Sequence, residues 1–191
     1  MISLNITNKL IIDSKVIETV SNINNKSIYI SAPVTTGNDF INWYSKNINL
    51  FTSEEIYQYR HYNEIIKPNL SLILKYYNEL KSKYNTSIIE PASLEMPNWS
   101  QDEYLYYWGE IIKKSIVKII FLDGWSYSKG CSYEYYVGLK KGIEIVDQNQ
   151  NSIDKKWAIN QIKIAISEYE NIGIDTDLQK QILIEIQNEC K

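Results

Sequence analysis

The segment IVKIIFLDG (116–124) is apolar as far as Leu122 except at Lys118, and it stops at Asp123-Gly124. A strand with one wet face alternates polar and apolar residues. One without alternation is covered on both faces, the condition of a parallel sheet sandwiched by helices. Three other short runs fit the same sheet: SIYISAPV (27–34), TSIIEPAS (86–93) and IEIVD (143–147), the first two ending around Pro33 and Pro91. Helical periodicity fills the intervals at 53–84, 99–115 and 127–142. Strands alternating with helices imply right-handed βαβ units, hence an α/β fold with helices on both faces of a parallel sheet.

The helical intervals carry their own punctuation. Ser53 followed by acidic residues marks a start, and Pro68 inside the pattern predicts two helices or one kinked helix. Ser100 with Glu103 three residues later has the spacing of a capping box. After residue 152 two further helices are expected, separated by NIGID. The chain reads as a single α/β domain: an extension on the domain edge (1–26), a core (27–147) and a C-terminal helical extension (148–191).

Composition narrows the function. The apolar fraction is 44%, the charged fraction 23% and the net charge −3. The lysines are scattered, so no dedicated nucleic-acid surface is expected. No apolar run approaches the length of a membrane span. Two cysteines without CxxC spacing, with His61 as the single histidine, exclude a Cys/His metal centre; His61 itself reads as an exposed helix residue. No cofactor is implied, and the expected setting is cytoplasmic, with reduced thiols.

Ligands of open parallel sheets bind at the carboxyl ends of the strands. Three segments fall there: SAPVTTG, EPASLE and DGWSYSKGCSYE. In the last, Ser126, Ser128 and Ser132 bring hydroxyls, and Gly130 lets a ligand approach the backbone at a helix start that favours anions. Glu134 follows, and a carboxylate there can attack a glycosidic carbon or activate water. A first-turn glutamate that merely complements the helix dipole fits the local pattern better. Tyr29, Trp43, Trp99, Trp125 and Tyr133 lie in or near these loops, where aromatic faces could stack on a base. Trp125 is the most site-like of them, since it follows a buried strand and has no evident core position.

Taken together, SIYISAPVTTG, IIEPASLE and the long run from Trp99 to Val146 resemble the nucleoside 2-deoxyribosyltransferase-like superfamily, which includes deoxynucleoside monophosphate N-glycosidases. The most specific part is Ser128-x-Gly130-x-x-x-Glu134 after the "GW" pair. The resemblance implies a flavodoxin-like, doubly wound domain that cleaves or exchanges an N-glycosidic bond of a nucleoside, nucleotide or NAD-like substrate, and that is a homo-oligomer. It makes Glu134 the nucleophile and gives Ser128 and Gly130 a 5′-phosphate or 5′-hydroxyl to hold. Tyr29, Ser31, Pro33 and Gly37 would line the base and sugar site, with Asp123 and Trp125 as further substrate contacts. A catalytically inactive nucleotide sensor of the same fold is the alternative. The chain departs from the pattern at the start of the third strand, where Val117 or Lys118 replaces an aspartate, and at Ala32-Pro33, where a glycine usually precedes the proline. Asp123, Asp102 or Glu95 could supply the missing carboxylate, and the long interval 38–85 could form a lid.

Overall fold

The structure, a computed structural model, describes residues 2–23, 26–94, 96 and 98–189. Four strands, β1 (Ser27–Ser31), β2 (Ile88–Ile89), β3 (Ile116–Phe121) and β4 (Glu144–Asp147), form one all-parallel sheet in the order β2-β1-β3-β4. The chain therefore leaves β1 towards one edge and β3 towards the other. The point where direction reverses lies between β1 and β3, the place where open parallel sheets tend to bind ligands. Register places Tyr29 beside Ile119 and Ser31 beside Phe121.

The unbroken apolar run of β3 has a simple cause. Alternate strand residues enter two separate cores. Tyr29, Ile119, Phe121 and Ile145 pack with Ile12, Ile111, Val137, Ile162 and Ile182. Ile28, Ile30, Ile120 and Val146 pack with Ile73 and Leu80. The first set is covered by helices α1 (Lys9–Asn22), α5 (Gln101–Ser115), α6 (Lys129–Lys141), α7 (Lys155–Asn171) and α8 (Asp177–Asn188), and the second by α4 (Lys67–Lys83). Among the described residues no helix is long and apolar enough to cross a membrane.

Two short helices, α2 (Phe40–Asn47) and α3 (Glu54–His61), precede α4. Ser53 caps α3 by accepting the Ile56 N–H. The break expected at Pro68 takes the form of a π-turn, Tyr62–Ile66, through which α3 runs into α4. A proline lacks an N–H and crowds the turn before it, and a wider turn accommodates both demands. His61 is not the exposed residue its neighbours suggested. It is half-buried, stacks on Trp43 and Tyr57 at 5.4 and 5.2 Å, and places Nε2 2.7 Å from the Thr35 carbonyl.

The N-terminal extension is more deeply integrated than an edge strap. Ile12 and Val16 are buried in the main core, and Asn8 donates its backbone N–H to Glu103 Oε1 at 2.9 Å. Glu103 also closes the capping box with Ser100. Its carboxyl is held below its ordinary range by backbone donors from Ser100 and Asn8. At the other end, Gln179 Nε2 donates to the Ser126 carbonyl at 3.0 Å and Tyr169 Oη to the Tyr127 carbonyl at 2.8 Å, so α7 and α8 brace the loop after β3.

Candidate active site

Tyr29 and Ser31 are two apart on β1, so their side chains point to the same face. That face is met by α6, which starts at an N-cap, Ser128, whose hydroxyl accepts the Cys131 N–H at 3.2 Å. Gly138 lets α6 lie close on the sheet: a Cβ there would come within 2.7 Å of Ile119 Cδ1. The close approach delivers Glu134 to the strand end. Tyr29 Oη donates to Glu134 Oε1 and Ser31 Oγ donates to Oε2, both at 2.6 Å.

Glu134 is 7% exposed, and burial pushes its carboxyl up to about 7, with the Ser31 and Tyr29 hydroxyls acting in the opposite direction. It lies six residues beyond the cap, in the second turn, roughly 9 Å along the axis at 1.5 Å per residue. That is outside the first turn, where a helix dipole acts, so the dipole reading is replaced by one of burial and paired hydroxyl donors. Reciprocally, Tyr29 is fully buried, and burial with the Glu134 charge raises its phenol well above the ordinary range.

Glu134 lies at a cavity of about 440 Å³, within the size range of small-molecule sites. Glu90, Ala92, Tyr104, Trp108, Ser128 and Gly130 also line it. A Cβ at Gly130 would meet only Ser128 Oγ, at 3.6 Å, so the start of α6 is left open to the cavity rather than filled by packing. Cys131 is buried beside Glu134, and burial pushes its thiol up to about 12, making it inert. A second chamber of about 750 Å³ shares Thr35, Gln101 and Ser128 with the first and is walled by Phe40, Tyr44, Phe51, Tyr57 and Tyr169. Its one lysine, Lys129, pairs with Asp175 at 2.8 Å. Among the described residues no group of three or more potential metal ligands occurs.

The structure thus brings Glu134, Ser128 and Gly130 to the cavity, holds Tyr29 and Ser31 fully buried behind Glu134 as its hydrogen-bond donors rather than as part of the lining, and leaves four other expected contacts aside. Trp125 is a core residue, 4% exposed, stacked on Tyr135 at 5.2 Å and tilted against Phe121 at 4.9 Å. Gly124 explains this. Its φ of +78° turns the chain back at the strand end, and a Cβ there would lie 2.8 Å from the Asn38 backbone nitrogen. Gly37, at φ +118°, belongs to the segment that passes over Gly124. Pro33 is buried beneath Gly37, and Asp123 is exposed and accepts from Gln148 Nε2 at 2.6 Å.

The compensating carboxylate is also elsewhere. Asp102 accepts the Asn5 N–H at 2.8 Å, and Glu95 lies outside the described residues. Lys118 pairs with Glu144 at 3.0 Å and lies three residues, roughly 10 Å, short of the end of β3. The second carboxylate of the cavity is Glu90, just past β2 in the EPASLE segment. Sequence reasoning singled out that segment without this residue. It also missed Gln101, Tyr104 and Trp108, whose spacing of three and four marks one stripe of α5. No family model matches the chain, and comparison with curated proteins and with solved structures finds no similar one either.

Proposed function

We propose that the chain is an N-glycosidase or deoxyribosyltransferase in which Glu134 is the nucleophile. One observation carries the reading: a buried carboxylate, each oxygen held by a hydroxyl donor, sits at a cavity lined by the segments that follow β1 and β2 and by α5 and α6. A group titrating near neutrality is poised to be ionised for attack yet reactive once ionised. Attack of a Glu134 oxygen on the anomeric carbon forms a glycosyl ester and breaks the bond to the base nitrogen. Water, or a second base, then cleaves the ester and restores the carboxylate. Tyr29 and Ser31 hold the carboxylate plane, which limits the geometries that must be searched. The open start of α6 at Ser128 and Gly130 suits a 5′-phosphate or 5′-hydroxyl.

The wider expectations belong to the same proposal. The two cores on alternate strand residues support a doubly wound, flavodoxin-like arrangement. A cytoplasmic homo-oligomer with a nucleoside or nucleotide substrate completes it. Incubation with deoxynucleotides, nucleosides and NAD, followed by chromatography, should reveal free base, and Glu134→Ala should abolish the release. Thermal protection by these ligands without any base release would instead establish the sensor, and release unchanged in Glu134→Ala would remove Glu134 from its role.

A further inference from the structure

The cavity around Glu134 has a one-sided charge. Glu90 and Glu134 both line it, and no lysine, arginine or histidine does so among the described residues. The nearest cation on the connected chamber, Lys129, is engaged by Asp175. Glu90 is oriented by its own turn: Oε1 accepts the Ala92 N–H at 2.6 Å. Oε1 thereby caps the short turn Pro91–Ser93, whereas Oε2 has no hydrogen-bond partner among the described residues and is left to the cavity. Tyr104 and Trp108, one helical turn apart on α5, line the same cavity. Trp108 is fixed edge-on against Tyr29 at 5.9 Å and Tyr107 at 4.7 Å, and the Tyr104 hydroxyl bonds the Met96 backbone.

Two carboxylates lining one small cavity repel the lone pairs of a neutral purine or pyrimidine and attract positive charge. Aromatic faces attract the same charge. We propose that the ring bound here is a cation: the substrate is an N-glycoside of a quaternised nitrogen heterocycle, of the pyridinium class, and Glu90 is the residue that selects it. The inference rests on the glycosidase reading for its chemistry and on charge for its specificity.

The chemistry is self-consistent. When Glu134 attacks the anomeric carbon, the electron pair of the breaking C–N bond returns to the ring nitrogen, and the cation leaves as a neutral base without a proton donor. Water then cleaves the glycosyl ester, yielding the free sugar, the Glu134 carboxylate and one proton. A neutral base would depart as an anion and require protonation within the cavity.

Binding separates this proposal from turnover. Calorimetric titration compares 1-methylnicotinamide, a pyridinium cation, with 3-methylbenzamide, its neutral isostere. The wild-type chain should prefer the cation by about tenfold or more, the ratio set by roughly 1.4 kcal/mol. In Glu90→Gln, with an unchanged circular dichroism spectrum, the preference should fall below about threefold, since the nearest unpaired charge is gone; Glu90→Ala serves as a second variant. Equal binding of the two rings, a preference unchanged in both variants, or no binding of either ring overturns the proposal. Base release from neutral nucleosides only would sink it while keeping the glycosidase. A cation preference without base release from any substrate would do the reverse.

Discussion

At the scale of single residues, Glu134 carries a conflict between function and stability. Its carboxyl rises from 4.5 to about 7 on folding because burial disfavours the charge. The folded state therefore binds the extra proton, and stability falls as pH rises through that window, by on the order of 3 kcal/mol in all. Glu134→Gln removes the ionisation and keeps the shape. The variant should melt several degrees above wild type at pH 8 and level with it near pH 5, as followed by differential scanning calorimetry; an equal or lower melting point at pH 8 would show that no burial cost exists. The same group sets the acid limb of any base release, which should rise with pH around 7. Tyr29→Phe removes a donor that lowers the Glu134 carboxyl, so this limb should move to higher pH in a pH–rate profile.

At the scale of elements, the site depends on how the loop after β3 turns. Gly124 has a φ of +78°, and the Asn38 backbone lies where its Cβ would be. Gly124→Ala must both strain the turn and displace the segment crossing it, at a cost of about 2 kcal/mol or more. The urea midpoint should fall accordingly; an unchanged midpoint would mean that the crossing segment yields freely. Much of this element was legible beforehand: a strand ending at Asp123-Gly124, a capped helix from Ser128 and a glutamate six residues on all follow from local chemistry. Trp125 was misplaced because its fate depends on one dihedral angle at Gly124, which decides whether the ring turns outward to a ligand or back onto Phe121 and Tyr135. The pleat of β1 was equally readable and puts Tyr29 and Ser31 on one face, but their meeting with Glu134 spans 105 and 103 residues of sequence.

At the scale of the whole molecule, burial divides the chain into a firm frame and a looser wall. β3 and α6 hold much of the core, whereas α3 contains no buried residue and α2 only Phe40. Hydrogen exchange followed by mass spectrometry should show α2 and α3 opening first and β3 last; equal protection of α3 and β3 would contradict this. Their wall closes the aromatic chamber beside the cavity, where His61 meets the Thr35 carbonyl. Periodicity and capping are local properties, so the sequence by itself determined the four strands, most helices and the polar loop at the end of β3. Only the tertiary structure decided that Glu90 joins Glu134 while Asp102 and Asp123 are drawn to Asn5 and Gln148. It also decided that Glu134 is buried rather than solvated. The reason is physical: a carboxylate's role is set by solvation and by partners, and both come from segments distant in the chain, brought together where the ends of β1 and β2 meet α5 and α6.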